Sequence, residues 1–127
     1  VPWELHFRDD EIGNERVRVA YLWVAPEGMA GSAKTMLVQV AETLGKRGIN
    51  EITVEAGRSL NGALVRQGLV DEFVIYLAPL LLGDRARGMF DLPELVEMGG
   101  RRDLRLIDVA MVGRDVRIRA LPADAKI

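Results

Sequence analysis

Glu55 stands directly before a glycine turn and a helix start, in the run Val54-Glu55-Ala56-Gly57-Arg58-Ser59-Leu60-Asn61-Gly62-Ala63. Such an arrangement offers two kinds of chemistry at one place. The first backbone N–H groups of a helix lack partners within it, and the positive end of the helix dipole lies there, so both favour an anion such as a phosphate. A carboxylate at that rim repels a bare phosphate. Glu55 therefore reads either as a solvated strand-end acid or as a residue facing a hydrogen-bond-donating substrate beside the phosphate pocket. Ser59 is read as the helix cap, with a hydroxyl that also suits a phosphate. Gly57 has two readings: it lets backbone approach a phosphate closely, or it supplies a positive φ to the turn. Arg58 is either a solvated loop cation or an anion partner.

These residues need a strand before them and a helix after them. Ile52 and Val54 alternate with Thr53, which predicts a strand over Glu51–Glu55, and Leu60, Ala63 and Leu64 predict a helix running to Gly68. Glu72–Ala78 reads as an almost wholly apolar inner strand ended by Pro79. Two apolar strands joined through a helix make a parallel βαβ unit, which places Glu55 at the carboxyl rim where open α/β sheets bind ligands. By the same geometry Pro79 and Leu80–Gly83 border the ligand edge, while Asp71, Glu72, Arg85 and Arg87 read as surface charges.

Upstream, Val1–Phe7 reads as a short extended segment, Arg8–Arg16 as a polar turn, and Val17, Val19, Tyr21 and Trp23 as one face of an inner strand. Pro26–Gly31 is a loop and Ser32 a helix cap. The helix it opens carries Leu37, Val40, Ala41 and Leu44 at helical spacing, reaches Arg47 and stops at Gly48. Downstream, Leu80–Gly88 is a loop and Pro93–Met98 a short helix opened by proline. Leu104–Met111 and Val116–Ala120, joined through Gly113-Arg114-Asp115, form a C-terminal antiparallel hairpin. On it, Arg117 and Arg119 read as a charged guard on a sheet edge. The expected fold is α/β: a mixed sheet with a parallel centre and an antiparallel hairpin, flanked by helices, in a single domain over residues 1–127 with a tail from residue 122.

The 127 residues are 49% hydrophobic and 28% charged, an ordinary globular balance. Seventeen basic and nineteen acidic residues leave a net charge of −2, so no field attracts nucleic acid or an anionic membrane. The absence of cysteine removes thiolate metal sites and a cysteine nucleophile, and the lone His6 makes neither a zinc site nor a triad. No metal is expected. No apolar run approaches the ~20 residues of a membrane span, and the first residues lack the pattern of a signal peptide. These signs point to a cytoplasmic protein. The chain begins at Val1 rather than methionine, which suits a piece of a longer protein.

The run VEAGRSLNGALVRQGLVDEFVIYLAPLLLGDRARGMF, with LPEL and RDLRLIDVAMVGRDVRIRAL after it, resembles the C-terminal half of the reductase domain of RibD-type bifunctional riboflavin biosynthesis proteins. The likeness spans about Leu37–Leu121, whereas residues 1–30 match poorly. It implies a dihydrofolate-reductase-like fold, a homodimer, and NADPH-dependent reduction of the ribosyl group of 5-amino-6-(5-phosphoribosylamino)uracil to ribityl. The family's glutamate before the glycine turn contacts substrate and corresponds to Glu55. Its turn and helix start bind the dinucleotide and correspond to Gly57, Arg58, Ser59, Leu60, Asn61, Gly62 and Ala63. Beside a dinucleotide, Arg58 is placed to meet the adenosine 2′-phosphate that separates NADPH from NADH. The family's substrate loop of the type Ser-Leu-Asp-Gly and its zinc deaminase motif are absent, so deamination is excluded for this chain. Two rival readings stand: a noncatalytic fragment or dimerisation module, and a related reductase of another pterin or pyrimidine.

Overall fold

The computed structural model describes residues 3–12, 15–24, 33–49 and 51–124. Pro26–Gly31, the Ser32 cap and the last three residues of the expected tail lie outside them. The chain forms two compact units, residues 1–54 and 55–127.

In the first unit, β1 (Trp3–Ile12) and β2 (Glu15–Val24) make an antiparallel hairpin from Trp3↔Val24 to Ile12↔Glu15. The polar stretch Arg8–Arg16 is thus mostly strand rather than turn, because hairpin pairing is satisfied by backbone and tolerates charged side chains. Among the described residues β2 pairs only with β1 and is not an inner strand. Helix α1 (Ala33–Gly45) follows the expected period, with Val40 and Leu44 buried. Its end is closed by hydrogen bonds from Gly48 N to Gly45 O and from Ile49 N to Leu44 O, the paired pattern of a Schellman stop.

The second unit holds α2 (Arg58–Arg66) and the strands β3 (Phe73–Leu77), β4 (Leu104–Val112) and β5 (Asp115–Pro122). A single 3-10 turn, Met98–Gly100, precedes β4. The expected helix at Pro93–Met98 is not formed: the segment is irregular, and its proline supplies a helical φ without the donor pattern to propagate a helix. The C-terminal hairpin forms as expected, turning at Gly113 and Arg114.

Strand order is β3-β5-β4, with both pairings antiparallel. Every strand pairing among the described residues is antiparallel, so the βαβ unit with its parallel centre does not appear among them. Residues 51–55 join no ladder, and Ile52 and Val54 are exposed. Alternation alone does not make a strand when no neighbour accepts its backbone hydrogen bonds. Likewise β3 is an outer strand and β5, carrying Arg117 and Arg119, is the central one. These arginines therefore do not guard an edge. They pair with acids on the neighbouring strand and loop, Arg117 with Asp108 at 2.8 Å and Arg119 with Glu72 at 2.5 Å.

Period-two patterning sorts the sheet into two unlike faces. Phe73, Ile75 and Leu77 oppose Ala120, Ile118 and Val116, which oppose Leu106, Val109 and Met111 across β4. That face is wholly apolar, and Ala120 on it is fully buried. The other face carries Val74 and Tyr76, then Arg119 and Arg117, then Asp108 and Ala110. A register shift between Leu106 and Asp108 keeps both patterns in phase along β4.

Candidate functional site

All the residues expected to handle ligand, Glu55 and Gly57–Ala63, belong to the second unit. The helix they open begins two residues earlier than the Ser59 cap implies. Gly57 is the N-cap, Arg58 the first helical residue, and Ser59 lies inside the first turn. Gly57 has φ −80° and ψ 177°, extended backbone open to any residue, so the positive-φ reading of this glycine is set aside. Extended backbone at the cap followed by helical backbone is the ordinary N-terminal transition, and no side chain caps it here. Nothing lies within 4 Å of where a Gly57 Cβ would stand, so the turn is open on that side.

Asn61 fixes the turn from within, its Nδ2 donating to Ala56 O at 3.0 Å while its N–H donates to Gly57 O at 3.1 Å. Glu55, Gly57, Arg58 and Ser59 are exposed, and Leu60 and Asn61 are half-buried. The consecutive residues Gly62, Ala63, Leu64 and Val65 are the buried part of α2. Position along the helix thus divides the expected cofactor residues. Those up to Ser59 present surface, whereas Gly62 and Ala63 carry the packing behind it.

The packing partner is Asp91, which no sequence pattern singled out. Its N–H donates to Arg58 O at 3.1 Å, and its carbonyl accepts from Arg66 Nη1. Its carboxylate meets Arg58 Nη2 at 2.8 Å. The backbone passes so close to Gly62 that any Cβ there would lie within 3.0 Å of Asp91 N, C and O. Gly62 therefore has a packing role in addition to its place at the helix start. The preceding Phe90 meets Phe73 edge-on, ring centroids 5.9 Å apart, which ties this segment to β3. The only sequence signal for this arrangement was an acid beside an aromatic in an otherwise irregular loop, too common a pattern to read.

The residues suit a dinucleotide phosphate in their chemistry: an open glycine cap, the uncapped first turn of a nine-residue helix and a cation at its first position. Glu55, just before that turn, supplies the single acid of the stretch. Among the described residues no group of three or more His, Asp or Glu side chains is placed to hold a metal ion. None of their helices is long and apolar enough to cross a membrane.

Riboflavin biosynthesis protein RibD of Haemophilus influenzae is 40% identical over 89 residues, covering 70% of this chain and 24% of that protein. The 5-amino-6-(5-phosphoribosylamino)uracil reductase of Buchnera aphidicola is 29% identical over 89 residues, covering 70% of this chain and 43% of its own length. In three dimensions a solved structure of Acinetobacter baumannii RibD superposes with a TM-score of 0.62 at 36% identity, over 68% of this chain and 24% of that one. The chain thus spans about a quarter of the RibD proteins it matches. The family model of the RibD C-terminal domain matches residues 7–118, which include β1 from Phe7 onward, β2, both helices, β3, β4 and β5 as far as Ile118, and the chain belongs to that family.

Proposed function

We propose that this chain is part of an NADPH-dependent reductase of the riboflavin pathway, acting on 5-amino-6-(5-phosphoribosylamino)uracil. The observation that carries the reading is that exposed Glu55, Gly57, Arg58 and Ser59 open a helix with no side-chain cap in a member of the RibD C-terminal domain family. Gly57, Arg58, Ser59, Leu60, Asn61, Gly62 and Ala63 hold the cofactor, the first three by direct contact and the last two by packing the helix start in place. NADPH supplies the hydride. The chain's own task is then to place the two reactants and to manage a proton. Glu55 contacts the substrate, either by accepting a hydrogen bond from a ribosyl hydroxyl or the pyrimidine, or by delivering the proton that completes the ribityl product.

The three-stranded sheet is, in this reading, the antiparallel side of a mixed dihydrofolate-reductase-like sheet with a parallel centre. Residues 1–127 form one partial domain of a cytoplasmic homodimeric protein, with the expected tail shortened by Pro122, which belongs to β5. Saturable quenching of tryptophan fluorescence by NADPH, weaker with NADH, is the expected binding result. Loss of NADPH absorbance on adding the phosphoribosylaminopyrimidine tests turnover, and turnover undiminished by Glu55→Gln would dismiss the proton-donor role. Binding without turnover would favour the second reading, a noncatalytic fragment or dimerisation module, which the quarter-length coverage of the RibD relatives supports.

A further inference from the structure

Arg58 is the one cation at the start of α2, and it is already engaged: its guanidinium sits 2.8 Å from the Asp91 carboxylate. The pair lies in solvent, the two side chains being 49% and 47% exposed. An ion pair so exposed is weak and exchanges readily for a stronger anion. The segment that brings Asp91 there does not depend on the pair. It is held by backbone bonds, Asp91 N to Arg58 O and Arg66 Nη1 to Asp91 O, and by the close fit against Gly62. The carboxylate can therefore release Arg58 while Asp91 stays in place.

We propose that Asp91 sets the dinucleotide preference of the α2 site by competing for Arg58. The inference rests on the reading of α2 as the cofactor site. A dinucleotide carrying a 2′-phosphate must take Arg58 from Asp91, and it brings a doubly charged, bidentate partner to do so. A dinucleotide without that phosphate makes no such exchange and meets an arginine already neutralised. Asp91 thus lowers affinity for the phosphorylated form specifically, and the chain's preference for NADPH is smaller than Arg58 alone would give it.

Asp91→Asn removes the charge and keeps both backbone anchors. Calorimetric titration of the full chain with NADPH and NADH is expected to show NADPH binding tightened about three- to tenfold and NADH binding changed by less than about twofold. In an Arg58→Gln background the same substitution is expected to have no effect, which separates competition for Arg58 from a general change in charge. Adenosine 2′,5′-bisphosphate should follow NADPH. Asp91→Ser serves the same purpose should Asp91→Asn fail to fold. An unchanged NADPH to NADH ratio with both dinucleotides bound overturns the inference alone, as does an equal shift in both or a shift that survives Arg58→Gln. No binding of either dinucleotide to wild type or variant overturns the cofactor reading and the inference together.

Discussion

Gly62 and Gly57 look alike in the sequence, two glycines at one helix start, yet the structure gives them opposite tolerances. A Cβ at Gly62 would enter the Asp91 backbone, and backbone cannot swing aside as a flexible side chain can. Gly62→Ala must therefore lift the Phe90–Asp91 segment and with it the contact to Phe73. The expected loss is about 1–3 kcal/mol in urea unfolding. At Gly57 there is open space and an ordinary φ, so Gly57→Ala gives up only the preference of glycine over alanine at a cap, at most about 1 kcal/mol. Equal losses at the two positions would mean that Asp91 does not lie over α2. Part of this site was legible as residue types: the acid, the glycine turn and the following helix were readable, but the cap was read at Ser59 instead of Gly57. Asp91 and Arg66 were not legible, because an ion pair and a carbonyl contact between distant segments leave no periodicity behind.

Elements whose pattern is satisfied locally were the ones the sequence disclosed. Helix α1 buries Val40 and Leu44 at helical spacing, α2 buries the consecutive run Gly62 to Val65, and each ends in a Schellman pair that a glycine announces. At Gly68 the φ is 66°, so Gly68→Ala is expected to destabilise by about 1 kcal/mol, read as a lower melting temperature. Strands were legible where the residues are apolar, as in β3 and the β4–β5 hairpin, but the pairing of β3 with β5 was not. Ile52–Val54 alternates as well as any strand but has no ladder, and Arg8–Ile12 is a strand despite its charges because β2 lies beside it. Placement of β5 at the centre of its sheet, through pairing with distant β3, also explains Glu72. The Arg119 hydrogen bond, aided by its charge and opposed by desolvation, holds the Glu72 carboxyl below its ordinary value of 4.5. A depressed folded pKa contributes stability that is fully present above the unfolded value and is lost as pH falls through the folded one. Glu72→Gln should accordingly lower the melting temperature slightly at neutral pH, with the difference vanishing well below pH 4.5. A difference that persists into strong acid would show that the side chain matters for packing rather than charge.

For the molecule as a whole, the apolar face of the three-stranded sheet is the largest unsettled account. Leu77, Leu106, Val109 and Met111 are each more than half exposed on one face, and β3 and β4 are both outer strands of the described sheet. Contiguous apolar surface on this scale marks an interaction surface in a soluble protein. The proposed homodimer offers one cover, by laying the C-terminal hairpins of two copies against each other. If that is so, sedimentation should show mass rising with concentration. Met111→Lys should shift the distribution to monomer, because a charge buried at such an interface without a partner is strongly unfavourable. Met111 belongs to the hairpin and not to the α2 start, so the substitution should leave NADPH quenching of the monomer intact. Self-association that Met111→Lys leaves untouched would move the interface off this face, and a monomer at every concentration would remove the homodimer from the proposed function. Loss of quenching together with association would instead tie the α2 site to the assembled form.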